Sequence, residues 1–147
     1  MPKPVTPLSG CDVFVTDVES RVLLIRRADN GLWALPGGCQ ELNETIAEAG
    51  VRECREETGL EIRITHLLGV FSSLRYEYVH YPWKDNVFNH TLFKAEVIGG
   101  KEATSDESPE VGWFFENRLP EFSDGHERRV RYGFNWLKAK EPSAHFE

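Results

Sequence analysis

Glu53, Glu56 and Glu57 sit close together in a stretch whose neighbours favour a helix. On a helix of 3.6 residues per turn each residue advances about 100°, so the three carboxylates fall within roughly 100° of one another on one side. Acid groups gathered in this way can hold a hard cation through oxygen, or exchange a proton with a bound reactant. The same run on most helices only faces solvent, where like charges three or four residues apart cost about 0.2–0.5 kcal/mol per pair. The glutamates alone leave both readings open. Other reactive side chains add little: Cys11, Cys39 and Cys54 are odd in number and widely spaced, unlike a zinc site or a disulfide framework, and are read as reduced thiols. The five histidines are scattered and none is assigned a role.

The residues around the run decide the matter. Residues 38–60 read GCQELNETIAEAGVRECREETGL, with Gly38, Glu44, Arg52, Glu53, Cys54, Glu56, Glu57, Gly59 and Leu60 at fixed intervals. The segment resembles the Nudix box: a glycine, five residues, a glutamate, seven residues, then Arg-Glu-apolar-x-Glu-Glu-x-Gly-apolar. Every specified position is filled, at odds on the order of one in a billion per starting position for average composition. Cys54 stands where an aliphatic residue is usual, and a buried thiol behaves as a small hydrophobe. The box covers 23 of the 147 residues, and the order of strand, glycine loop and helix around it is similar to the family's. The resemblance implies a Nudix fold, an α/β/α sandwich with a mixed central sheet, in a single domain over residues 1–147. It also implies metal ligands at Glu53, Glu56 and Glu57, helped by the carbonyl of Gly37, and an ion pair of Arg52 with Glu44 that orients the carboxylates without reacting.

The activity the resemblance implies is hydrolysis of the pyrophosphate bond of a nucleoside diphosphate linked to another moiety. Such a linkage repels both hydroxide and the enzyme's own glutamates, so a divalent cation must bridge them. Magnesium suits a row of oxygen ligands that supplies only part of its shell, with manganese as an alternative. Without metal, mutual repulsion is expected to raise one or more of the carboxylate pKa values. Water then attacks one phosphorus in line, giving a nucleoside monophosphate and a phosphorylated fragment. Late-loop acids Asp106, Glu107 and Glu110 are candidates for the base, with Glu107 preferred and Glu56 and Glu57 competing. Arg26 and Arg27, at a strand end, are candidate phosphate contacts. Tyr76, Tyr78 and Trp83, with Tyr81, crowd one hairpin where a nucleobase could stack, or where rings pack into a core or a homodimer interface. Tyr76 and Tyr78 lie near where dinucleoside-polyphosphate members of the family carry a tyrosine, and the proline that marks ADP-ribose members is missing; no substrate is chosen on that spacing.

The elements that must position these groups are legible in outline. Residues 11–16 and 21–27 read as two strands of a hairpin around a polar turn. Pro36, Gly37 and Gly38 break regular structure and let backbone approach another group closely. Thr45 and Glu48 form a capping-box pair and Gly59 suits a left-handed stop, which predicts a helix over residues 46–58. Its small and apolar stripe of Ala47, Gly50, Val51, Cys54 and Thr58 lies about 120° from the acids and packs on a sheet. Strands follow at 61–78, 87–97 and 111–115. Asp124 with Glu127 is expected to cap a last helix ending near Lys140, with Val130, Phe134 and Leu137 on its apolar face and Arg128, Arg129 and Arg131 elsewhere.

The 147 residues, 40% hydrophobic, suffice for one core. A formal net charge of -7 opposes nonspecific attraction to a phosphate backbone, which favours a small nucleotide over nucleic acid as substrate and counts against an RNA 5'-end hydrolase. No stretch approaches the roughly 18 apolar residues of a membrane helix and no signal peptide opens the chain, so a cytoplasmic protein without membrane attachment is expected. The rival from another class is a non-catalytic Nudix-fold sensor, which would be expected to lose box carboxylates; here all are present.

Overall fold

A computed structural model describes residues 6–75 and 86–147. Among these residues seven strands and two α-helices run in the order β1 (Leu8–Val15), β2 (Val22–Arg26), β3 (Trp33–Ala34), β4 (Gly37–Cys39), α1 (Ile46–Thr58), β5 (Leu60–Ser72), β6 (Phe88–Gly100), β7 (Glu110–Phe114) and α2 (His126–Lys138). One sheet has the order β4-β1-β6-β5, the other β3-β2-β7. In the first, β1 runs parallel to β6 and antiparallel to β4, so the sheet is mixed.

The expected hairpin of the first two strands does not form. Only the bridge between Thr16 and Val22 joins them, after which β1 and β2 enter different sheets. Both strands are buried through almost their whole length, so no polar face ties either to a hairpin partner. Instead, alternate residues serve two cores. Cys11, Val13, Val15 and Leu23 join Ala49 and Cys54 of α1 in one cluster, whereas Phe14, Val22 and Leu24 join Val130 and Phe134 of α2 in the other. The strand layer therefore lies between the helices, as the α/β/α expectation requires.

Both helices press their backbones on β1 through a glycine. A side chain on Gly50 would begin 2.8 Å from Cys11 Sγ, and one on Gly133 would begin 2.5 Å from the Phe14 ring. α1 has the predicted bounds, with both halves of the capping box made by Thr45 and Glu48, and Gly59 closing it at φ 76°. α2 departs from expectation at its start. Gly125, in the left-handed region at φ 81°, occupies the cap position with no side-chain cap bond, so Asp124 does not cap it as predicted. Arg129 also departs: it lies on the buried stripe with His126, Val130, Gly133 and Phe134, and Leu137 is 37% exposed. All three cysteines are free.

Candidate active site

α1 carries its acids to the side of the Gly37–Gly38 strand. Glu57 accepts a hydrogen bond from the Gly37 N–H at 2.8 Å. A side chain on Gly38 would begin 2.6 Å from Cδ of Glu53 and could enter only by displacing that carboxylate. The two carboxylates and both glycines line a cleft of about 410 Å³ with Arg27, Asp29, Asp106 and Glu107. Among the described residues five carboxylates thus face one guanidinium, and Arg27 is already bonded to Asp29 through two nitrogens at 2.9 and 2.6 Å.

The electrostatics follow from this imbalance. Burial raises the Glu57 pKa well above the ordinary carboxylate value, opposed by the Gly37 bond and reinforced by Glu53 and Asp12. Burial also raises Glu53, against the lowering effect of Arg52. The direction agrees with the sequence expectation, but desolvation outweighs mutual repulsion as the cause. Neither Glu53 nor Glu57 stands free in solvent. The side chain of Glu53 is 18% exposed, and Glu57 is half-buried, its carboxylate crowded by protein.

Arg52 sits at the centre of a local network. It bonds Glu44 through Nε at 3.0 Å and Nη2 at 2.8 Å, Glu53 through Nη1 at 2.8 Å, and the Cys39 carbonyl at 3.2 Å. Glu44 also accepts from the Glu41 N–H, and these bonds hold its pKa down to about 2. Glu56 is 58% exposed and leans to Arg52 at 3.3 Å. It does not line the cleft as Glu53 and Glu57 do. Among the described residues, no three His, Cys, Asp or Glu side chains are drawn together as tightly as around a bound ion.

The substrate candidates separate. Arg27 lines the cleft, but Arg26, its neighbour along the chain, turns away to the Gly31 carbonyl at 3.0 Å and Glu110 at 2.6 Å. Successive strand residues point to opposite faces, which removes Arg26 and Glu110 together from the cleft. Glu107 does reach it, its loop tied down by the Ala28 N–H on the Glu107 carbonyl at 3.0 Å. Tyr76, Tyr78, Tyr81 and Trp83 lie outside the described residues.

Sequence reasoning missed a second layer behind Gly37. Asp12, His90, His126 and Arg129 line a small chamber of about 50 Å³ that shares Gly37, Gly38, Arg27 and Glu57 with the cleft. Burial lowers the pKa of His90 to about 2 and that of His126 well below its ordinary value, so both rings are neutral. A neutral His126 can accept the Leu35 N–H at Nδ1, 3.1 Å away. The sequence did hold a signal: positions 126, 129, 130, 133 and 134 follow the helical stripe spacing. A larger hollow, about 780 Å³, lies elsewhere, between Lys94, Trp113 and Trp136. It contains none of the box glutamates, and two of its acids are engaged, Asp17 by Arg21 and Glu102 by Trp113.

A mixed strand layer between two helices, with glutamates of one helix set against a glycine strand, defines the class of protein. Residues 6–133 match the NUDIX domain, and the chain belongs to the Nudix family as a Nudix hydrolase, a pyrophosphohydrolase. It is 37% identical over 128 residues to an ADP-ribose pyrophosphatase of Methanocaldococcus jannaschii, spanning 83% of this chain and 70% of that one. It is 31% identical over 121 residues to a putative 8-oxo-dGTP diphosphatase of Bacillus subtilis, spanning 82% and 74%. The solved structure of a UDP-X diphosphatase shares the fold with a TM-score of 0.82 at 21% identity, over 99% of this chain and 68% of that one. No helix among the described residues is long and apolar enough to cross a membrane.

Proposed function

We propose that this hydrolase is magnesium-dependent, with manganese as an alternative cation, and acts on nucleoside diphosphates linked to another moiety. The observation that carries the reading is the meeting of the Glu53 and Glu57 carboxylates with the Gly37–Gly38 backbone in an acid-lined cleft. The donor set fits such a cation: every candidate is a hard oxygen, and the cleft has more negative charge than its arginine offsets. Glu53, Glu56, Glu57 and the carbonyl of Gly37 would hold it. When bound, the cation neutralises the diphosphate and makes the attacking water more acidic.

The chain's own groups supply the rest. Glu57 has one oxygen engaged by the Gly37 N–H and the other available. Arg52 and Glu44 orient Glu53, and Glu56 joins the cleft by leaving its contact with Arg52. Glu107 takes the proton of the attacking water, with Glu56 and Glu57 competing for that role. Arg27 meets a phosphate oxygen, and Tyr76, Tyr78 and Trp83 offer rings to the base. The relatives' names, an ADP-ribose pyrophosphatase and a putative 8-oxo-dGTP diphosphatase, support a nucleotide phosphoanhydride and differ on the leaving group.

The test is turnover of nucleoside triphosphates, ADP-ribose, dinucleoside polyphosphates, nucleotide sugars and NADH with magnesium, with products identified. Glu57→Gln and Glu53→Gln are expected to lower kcat by about 10²- to 10⁴-fold while the fold is kept, because Gln retains an oxygen for the Gly37 N–H at position 57 and for Arg52 at position 53. Near wild-type turnover in either variant removes that residue from the assignment.

A further inference from the structure

Asp12 and Arg129 form an ion pair that the proposed chemistry does not use. Arg129 is 1% exposed and Asp12 4%, with Nε 2.8 Å from Oδ2. Taking two ions out of water costs several kcal/mol per ion, and an apolar pair of similar volume is commonly as stable or more so. Stability is therefore a poor reason for this pair, and its position suggests a better one. Asp12 on β1 is the register partner of Gly37 on β4. Its Oδ1 and Cα stand 2.6 and 2.9 Å from where a side chain on Gly37 would begin. The Gly37 N–H in turn reaches Glu57. Contacts thus run in one line from α2 through β1 and β4 to α1. His126, three residues before Arg129, takes the Leu35 N–H, so the first turn of α2 holds this segment on both sides of Pro36.

We propose that Asp12 and Arg129 are positioning residues for hydrolysis: they fix the Gly37 peptide from behind, so that Gly37 and Glu57 keep the spacing cation binding requires. This rests on the cleft assignment given under the proposed function. Groups that orient ligating groups without touching the ion typically contribute 10- to 100-fold to metal affinity or rate.

The experiment measures kcat, KM, Mn²⁺ affinity by electron paramagnetic resonance, and melting temperature on the full chain. Arg129→Met is expected to weaken Mn²⁺ binding and kcat by about 10- to 100-fold with KM changed far less. It also lowers the melting temperature, because Asp12 is left buried without its partner. The double variant Asp12→Asn/Arg129→Met leaves no stranded charge and is expected to regain stability without regaining kcat or Mn²⁺ affinity. A folded double variant with wild-type kcat and Mn²⁺ affinity overturns the proposal. Arg129→Lys keeps the charge but loses the planar fork, and is expected to lose at least about threefold in Mn²⁺ affinity. Wild-type values there overturn it as well. Glu57→Gln run in parallel separates the two claims: full turnover in that variant sinks the cleft assignment, whereas an inactive Glu57→Gln beside a fully active double variant sinks only the positioning role.

Discussion

α1 and α2 are each 13 residues long and cover opposite sides of the same strand layer, yet they hold the Gly37 segment by different means. α1 reaches it with Glu57, a carboxylate that burial pushes toward its neutral form. α2 reaches it with a neutral imidazole and with a guanidinium that acts through Asp12. The difference separates a group whose charge has to change hands with a ligand from groups whose state is fixed by their surroundings. The helix that presents Glu53 and Glu57 lines the cleft; the helix behind holds the Gly37 segment through His126 and Asp12.

The two glycines between the helices give the sharpest way to break this comparison, because each meets one side. A methyl on Gly37 would begin 2.0 Å from the Cys11 carbonyl and 2.6 Å from Asp12 Oδ1, and backbone cannot yield as a side-chain tip does. Gly37→Ala is expected to lose about 1–3 kcal/mol or more in urea unfolding. A methyl on Gly38 would meet only the end of Glu53, at 2.6–3.0 Å. Gly38→Ala should therefore unfold much as wild type but lose about 10-fold or more in kcat, since the carboxylate is pushed out of place. Equal stability losses, or wild-type turnover in Gly38→Ala, would erase the distinction.

The caps give a smaller effect and sharpen the same contrast. Thr45 makes a complete capping box for α1, so Thr45→Ala should cost about 1 kcal/mol of stability and leave kcat alone. Gly125 starts α2 at positive φ without a side-chain bond, so Gly125→Ala should cost about 1 kcal/mol through backbone strain. Because His126 follows it directly, kcat should fall in this variant as well. A Gly125→Ala protein with reduced stability and unchanged kcat would mean that the start of α2 is not coupled to the cleft.

These cases also explain what could be read in the sequence. α1 was legible to the residue because its signals are local: Thr45 with Glu48, Gly59, and the box spacing all lie within one short segment. The same holds for the Arg52–Glu44 pair, eight residues apart. The pairing of β1 with β6 was not legible, since two strands buried on both faces give no alternation from which a partner can be chosen. Asp12 with Arg129, and His126 with Leu35, join residues about a hundred positions apart, and helical spacing places His126 and Arg129 on the packed stripe of α2 without naming their partners. Arg26 and Arg27 looked equivalent as a dipeptide; only the strand's facing, set by tertiary packing, sends one to the cleft and the other to Glu110.

The smallest effect, and the one that separates the acids of α1 from one another, is the pH dependence of stability. Glu57 and Glu53 have folded pKa values raised above the ordinary 4.5. Their contribution to stability is full below that value and is lost as pH rises through the raised pKa, because ionisation in the fold is penalised. Glu44 has the opposite sign: held down to about 2 by Arg52, it stabilises above the ordinary carboxylate range and loses that contribution as pH falls toward 2. In melts from about pH 3 to about pH 9 with metal chelated, stability is expected to rise out of acid, as Glu44 ionises and as the unfolded chain gives up the protons that buried His90 and His126 do not take, and to decline on the alkaline side as Glu57 ionises in the fold. Magnesium should raise the melting temperature on that alkaline side and hardly at all in acid, where Glu57 carries a proton. Glu57→Gln should flatten the alkaline decline and abolish the magnesium effect, whereas Glu44→Gln should flatten only the acid limb. An unchanged alkaline slope in Glu57→Gln would show that burial of this carboxylate is not what opposes its charge.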